Sequence, residues 1–157
     1  MNQARVFKVE NRLAKVIVLP GGMTVAAALR RADERVASVR EVCLASFAEK
    51  GRRLQQLAAI GRAGSDDKAV ADLYTTANEV FSIAGAFGMT DLAESAYGLC
   101  DLVDSSRERG DINWAAVDVY VDGVRFLGSA AAEADSATRA AIVAGLRQIA
   151  GRFSGDV

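Results

Sequence analysis

Apolar residues recur at spacings of three and four along most of the chain, the pattern that predicts amphipathic α-helices. The predicted helices cover approximately residues 24–60, 66–87, 91–109, 113–133 and 135–153. In the first of them the predicted inward positions are Val25, Leu29, Ala32, Val36, Val39, Cys43, Phe47, Leu54 and Leu57. Gly51 lies inside this helix and weakens it by about 1 kcal/mol, so the pattern leaves open whether the helix bends there.

Turn and capping residues separate the five helices. The predicted N-caps are Thr24, Ser65, Thr90, and Asp135 or Ser136, and residues 61–65 are predicted to form a loop. Gly88 and Gly110 are predicted to end the second and third helices. Short connections between amphipathic helices predict an all-α fold, an antiparallel four-helix bundle with one additional flanking helix.

The first residues of the chain do not follow the helical period. Val6, Lys8 and Glu10 alternate in polarity, and Val16–Leu19 is mostly β-branched, which favours short strands. Residues 20–22 (PGG) stop any regular element. We therefore predict a short N-terminal arm or hairpin over residues 1–22, followed by a single helical-bundle domain over residues 23–157.

Charge and hydropathy narrow the range of partners. The formal net charge is -1, which gives no bulk attraction to nucleic acid or to an anionic membrane. The apolar run near the N-terminus is far too short to span a bilayer. We expect a soluble cytoplasmic protein with no nucleic-acid or membrane partner. Cys43 and Cys100 fall on apolar helical stripes, so we expect buried free thiols.

The chain contains no histidine. It therefore lacks the usual general base near neutral pH, the commonest metal ligand and a phosphorylatable imidazole. A phosphate-binding Gly-Lys loop and paired Cys-x-x-Cys motifs are also absent. Glu94, Asp101 and Asp104 are explained by a solvated polar helix face. We predict no catalytic residue, no metal ligand and no cofactor, and hence a protein that is not an enzyme.

One outer flank of the predicted 66–87 helix is unusual because it carries no long charged side chain over about four turns. Its centre is Asn78, which lies roughly 110° from the core line near Ala77. This small-residue flank consists of Ala71, Thr75, Asn78, Ser82 and Gly85, and we include the adjacent Glu79 in the predicted partner-binding set. The flank either packs internally against the first helix or the N-terminal arm, or docks a partner helix.

Residues 77–94 (ANEVFSIAGAFGMTDLAE) resemble the signature of the histidine-containing phosphotransfer (Hpt) domain family. In that family a helix carries His-x-Leu-Lys-Gly, then small residues, a Leu-Gly turn and a helix that opens with Leu-Ala. Val80 takes the leucine position, Phe87 and Gly88 match the turn, and Leu92 begins the matching helix. The resemblance implies an Hpt-like helical bundle.

The departures from the family pattern decide the expected activity. Asn78 stands where the family has its phosphorylated histidine, Phe81 replaces the lysine and Ser82 the glycine. An amide cannot replace the imidazole as a nucleophile. The resemblance therefore implies a degenerate member that binds a response-regulator receiver domain or a sensor histidine kinase. Such a protein modulates a two-component or chemotaxis-type phosphorelay by occupancy.

Two other functions remain open from the sequence. The first is a structural or oligomerising bundle in which the small-residue flank forms a homodimer seam. The second is a small-molecule-binding bundle with a pocket among its aromatic residues, Tyr97, Trp114, Tyr120 and Phe126.

Overall fold

The computed structural model describes residues 22–64, 66–129 and 135–153, which form five α-helices without a strand. The helices are α1 (Val25–Gly64), α2 (Asp67–Ala86), α3 (Thr90–Arg109), α4 (Trp114–Ser129) and α5 (Ser136–Phe153). The predicted all-α class is confirmed. The predicted arm or hairpin lies outside the described residues except for Gly22. In the described part of the chain, no helix combines the length and hydropathy that crossing a bilayer requires.

Two of the predicted N-caps agree with the structure. The Thr24 hydroxyl accepts a hydrogen bond from the Ala27 amide at 3.2 Å, and the Asp135 carboxylate accepts one from the Thr138 amide at 2.7 Å. Each bond satisfies an amide that the first turn leaves without a helical partner.

The caps of α2 and α3 differ from the prediction. Asp66 caps α2 by accepting a hydrogen bond from the Lys68 amide at 2.9 Å, and Ser65 lies outside the described residues. Thr90 is the first residue of α3, preceded by Met89, which offers no side-chain cap. Met89 is instead buried in the core, so hydrophobic burial fixes the start of α3.

Gly88 makes the turn between α2 and α3. Its φ of 69° is in the left-handed region that glycine adopts without steric cost. The Met89 amide donates to the Ala84 carbonyl at 2.9 Å and the Gly88 amide donates to the Gly85 carbonyl at 3.2 Å. This pair of bonds is a Schellman motif, which satisfies the last carbonyls of α2 and reverses the chain.

Helix α1 is longer than predicted. It is continuous through Gly51, and it includes residues 61–64, which were predicted to form a loop. The prediction was wrong because Gly61 serves packing rather than turning. Gly61 is buried, and a Cβ there would lie 2.3 Å from the Trp114 ring. Glycine therefore admits the indole against the helix.

The chain divides into two compact units, Met1–Ser38 and Val39–Val157. In the first unit the apolar positions of α1 are exposed, with Leu29 61% accessible and Val25 and Val36 also open to solvent. The predicted inward stripe is therefore wrong for this part of the helix. The described residues of this unit form a single helical segment and contain no second apolar face to cover it.

The second unit contains a continuous hydrophobic core to which all five helices contribute. Its buried positions include Phe47, Leu54, Leu57, Leu73, Ala77, Val80, Leu92, Ala96, Leu99, Val103, Val117, Val121, Val124, Leu127, Val143 and Leu146. From Phe47 onward the predicted inward stripe of α1 is confirmed, whereas the prediction is wrong for Val39, which is 49% accessible. Cys100 is buried and Cys43 is half-buried, and both are free thiols.

The order of the contacts gives the relative direction of neighbouring helices in this unit. Where residue numbers increase along α1, the numbers of the contacting residues on α2 and α4 decrease. Lys50 and Arg53 of α1 form ion pairs with Glu79 and Asp72 of α2, respectively. A Cβ added at Gly51 of α1 would contact Arg125 of α4, and one added at Gly61 would contact Trp114 at the beginning of α4. Helix α1 therefore runs antiparallel to both α2 and α4.

Helix α5 lies against α3 and α4. The Tyr120 hydroxyl donates to the Leu146 carbonyl at 2.9 Å, and Leu146 is buried. Arg139 pairs with Asp91 at 2.9 Å, and Arg147 forms a two-pronged ion pair with Glu94. These contacts fix α5 beside α3.

The two parts of α1 are expected to differ sharply in their contribution to stability. Leu54 is fully buried, so Leu54→Ala is expected to cost about 2–5 kcal/mol of unfolding free energy. Leu29→Ala, the matched exposed change, is expected to cost less than about 0.5 kcal/mol. Urea unfolding followed by circular dichroism measures both. Equal losses would contradict the exposure of the first part of α1.

Candidate docking surface on helices α2 and α3

The small-residue flank of α2 is open to solvent. Thr75, Asn78, Ser82 and Gly85 are exposed, and Ala71 is half-buried. Helix α1 does not cover them, although it pairs with α2 at Glu79 and Asp72 beside the flank. Within the described residues, the flank is an outer face and not an internal packing surface.

The hydroxyl groups on this flank are bonded back to the helix. Ser82 Oγ donates to the Asn78 carbonyl and Thr75 Oγ1 donates to the Ala71 carbonyl, each at 2.9 Å. These bonds use the hydroxyl donors, so Thr75 and Ser82 can offer a partner only the acceptor lone pairs of their oxygens. The Asn78 side-chain amide forms no hydrogen bond with another described residue, which leaves it open at the centre.

Ion pairs mark the border of the flank toward α1. The Glu79 carboxylate accepts a hydrogen bond from Lys50, so this predicted partner-binding residue already has an internal partner. Asp72 lies 2.9 Å from Lys68 and 3.6 Å from Arg53. The hydrogen bond from Lys68 lowers the pKa of Asp72. Charge on this border is therefore largely balanced within the protein.

An exposed aromatic pair lies on the other side of the flank. Phe81 of α2 and Tyr97 of α3 are 38% and 58% accessible. Their ring centroids are 5.7 Å apart with planes inclined at 51°, a tilted arrangement that aromatic side chains favour. Phe81 thus forms a hydrophobic contact across the α2–α3 hairpin.

Sequence reasoning did not include Tyr97 in the docking surface and considered it only as part of the alternative ligand pocket. A signal was present, since Asp101, Asp104 and Glu108 follow Tyr97 at intervals of four, three and four residues. That spacing puts all four side chains on one helical face. A tyrosine in line with three carboxylates belongs to a polar face, and the structure places it there.

The three carboxylates after Tyr97 form an unpaired acidic edge. Asp101, Asp104 and Glu108 are exposed, and none of them forms an ion pair with another described residue. The other two carboxylates of α3 differ, since Asp91 and Glu94 are paired with arginines of α5. Negative charge on α3 is therefore balanced on the α5 side and left open beside Tyr97.

The acidic edge also acts on the thiol beneath it. Cys100 is buried, and its Sγ lies 3.9 Å from the Tyr74 carbonyl of α2. Burial raises the pKa of the Cys100 thiol to about 11, and the charges of Asp101 and Asp104 add to the increase. This thiol stays protonated at neutral pH and is a poor nucleophile.

The aromatic residues of the alternative ligand-pocket hypothesis do not share one pocket. Trp114 packs at Gly61 of α1, and Tyr120 packs at Gly98 of α3. Tyr97 pairs with Phe81, and Phe126 is exposed on α4. Three of the four therefore have separate packing partners, so these four described residues do not line a common ligand pocket.

The surface offers contact area and no reactive constellation. Among residues 22–64, 66–129 and 135–153, no three histidine, cysteine or carboxylate side chains are grouped as metal ligands. Asn78 is a neutral amide without nucleophilic character. What the surface presents is a small, nearly neutral flank, an aromatic pair and an acidic edge.

Comparison with known proteins found no matching family model, no matching curated protein and no matching solved structure. A functional assignment for this chain therefore rests on its own residues and their geometry.

The raised pKa of Cys100 predicts a loss of stability at high pH. The unfolded thiol ionises near 9.0 and the folded thiol near 11. The stabilisation is therefore complete below pH 9.0 and is lost as the pH rises toward about 11. Urea midpoints at about pH 8 and pH 10.5 should fall further for wild type than for Cys100→Ala. Equal decreases in the two proteins would refute this assignment.

Proposed function

We propose that this protein is a non-catalytic, Hpt-like signalling protein that docks a response-regulator receiver domain or a sensor histidine kinase. It modulates a phosphorelay in the cytoplasm by occupying its partner. The observation that carries the proposal is the open small-residue flank centred on Asn78, bordered by the exposed pair of Phe81 and Tyr97.

The helix arrangement supports an Hpt-like bundle. Helix α1 runs antiparallel to α2 and α4, and the Gly88 turn reverses the chain between α2 and α3. We propose that α1 to α4 form an antiparallel four-helix bundle of the Hpt kind, with α5 as the flanking helix. The turn at Gly88 falls where the family pattern has its Leu-Gly turn.

The chemistry of the flank favours occupancy over phosphoryl transfer. Asn78 has no nitrogen lone pair comparable to that of imidazole, so it cannot accept a phosphoryl group as histidine does. Phe81 provides no positive charge to hold a phosphoryl group, and it contacts Tyr97 instead. A partner that docks here has its binding surface occupied and receives no phosphoryl group from this protein.

The size and polarity of its side chains make the flank suitable for contact with a partner helix. Small side chains let another helix approach closely, and the hydroxyl donors of Thr75 and Ser82 are already satisfied within α2. The Asn78 amide has no partner among the described residues, so we expect the docked element to supply a hydrogen bond to it. Exposed aromatic residues at the border provide the large apolar contacts that dominate many interfaces. Phe81 and Tyr97 are expected to carry the largest share of the binding energy.

The proposal is tested by titrating the full chain with each receiver domain and kinase dimerisation domain of the source organism. We expect one of them to bind in the micromolar range. Asn78→Arg and Ser82→Arg should each weaken that complex at least about tenfold, because a long charged side chain separates the surfaces. Isothermal titration calorimetry measures the affinities.

The matched control is Ala144→Arg, a small-to-arginine change at an exposed position of α5, which should leave the affinity unchanged. If no receiver or kinase domain binds, or if the flank variants bind as wild type does, the proposal is wrong. Light scattering in the same samples detects the homodimer alternative. In that case wild type would double its mass with concentration and the flank variants would not.

A further inference from the structure

The docking surface of the proposed function has an electrostatic asymmetry that specifies its partner. On the side toward α1, Glu79 and Asp72 are neutralised by lysine and arginine. On the side of α3, the three carboxylates of the acidic edge, Asp101, Asp104 and Glu108, form no ion pair with another described residue, and Arg107 is the one cation of α3 that lies between them in the chain. Three unpaired carboxylates on successive turns beside an exposed tyrosine leave a local negative field unbalanced.

The acidic edge lies beside the beginning of the small-residue flank. Cys100 is in contact range of the Tyr74 carbonyl, at 3.9 Å, so Asp101 is level with the Ala71–Thr75 end of α2. Tyr97 reaches Phe81 nearer the other end. Lys68 lies close to the Ala71 end of α2, and its ammonium is engaged by Asp72. A partner lying along the flank therefore meets carboxylates near the Ala71 end and aromatic rings toward the Gly85 end.

The dimensions suit a helix as the docking element. Ala71 to Gly85 covers about 21 Å of α2 at 1.5 Å per residue, and Tyr97 to Glu108 covers about 16 Å of α3. The two helices present no unpaired strand edge, so an extended segment would find no backbone partners there. A helix of four or five turns matches this length, and its backbone N–H and C=O groups are hydrogen-bonded within the helix.

We infer that the element docking on this surface is an amphipathic helix with a small apolar stripe and one basic edge. The inference rests on the proposed docking function and specifies the partner of the same surface. The apolar stripe lies on the small-residue flank and against Phe81 and Tyr97. The basic edge faces Asp101, Asp104 and Glu108, and lysine or arginine near Tyr97 also gains cation–π attraction.

The inference is tested with two synthetic helical peptides of about 18 residues. Both have the same Leu/Ala stripe and blocked ends, and they differ only in carrying lysines or glutamates along one edge. Fluorescence anisotropy at low salt measures their affinities for the full chain. We expect the lysine peptide to bind at least about tenfold more tightly than the glutamate peptide, with the difference shrinking as salt is added.

Two triple variants with the same change in net charge separate a specific edge from general charge attraction. The edge variant is Asp101→Asn, Asp104→Asn and Glu108→Gln, which should remove the preference for the lysine peptide. The control variant neutralises three exposed carboxylates of α1, by Asp33→Asn, Glu41→Gln and Glu49→Gln. It should keep that preference. Circular dichroism verifies the folding of both variants.

Three results would overturn the inference. They are equal affinity for the two peptides, equal weakening by the two triple variants, and no binding of either peptide up to millimolar concentration. The proposed function is judged separately. If a receiver domain binds wild type and the edge variant equally well, the inferred basic edge of the partner is wrong and the proposed docking function stands. If the lysine peptide binds and no receiver or kinase domain does, the inferred basic helix stands and the proposed signalling function is wrong.

Discussion

The packing of α2 against α3 across the Gly88 turn is the constraint on which the candidate surface depends. The Schellman bonds from Gly88 and Met89 end α2 and return the chain. Burial of Met89 then starts α3 without a side-chain cap. Only this close antiparallel return brings Phe81 and Tyr97 to a centroid separation of 5.7 Å. A local turn therefore creates the exposed aromatic contact of the surface.

The same hairpin separates balanced charge from unbalanced charge. Ion pairs with α1 and α5 neutralise the carboxylates at the outer borders of the hairpin, whereas the acidic edge of α3 remains open. Between them, hydroxyl groups bonded to their own helix make the flank small and nearly neutral. These features are the basis of our proposal that another helix docks on this surface. Asn78 occupies its centre without offering a reactive group.

The helical period of apolar residues predicted the five helices and the core from Phe47 to Leu146, because burial there imposes a strict spacing on apolar residues. It failed for the first part of α1, where Leu29 follows the same spacing and is exposed. Periodicity reports an amphipathic face and not what covers it. Gly61 was misread for a related reason, since its role depends on Trp114, which is distant in sequence. Of the candidate surface, the flank residues followed from the sequence, but the pairing of Phe81 with Tyr97 required the tertiary fold.

The central claim is that the α2–α3 face keeps a docking shape without phosphotransfer chemistry. Backbone amide chemical shifts of the isotopically labelled full chain, recorded with and without a saturating receiver or kinase domain, test it most directly. The account predicts that the perturbed amides cluster on the small-residue flank and around Phe81 and Tyr97. Perturbations confined to residues 25–38 of α1, or to the outer faces of α4 and α5, would contradict it.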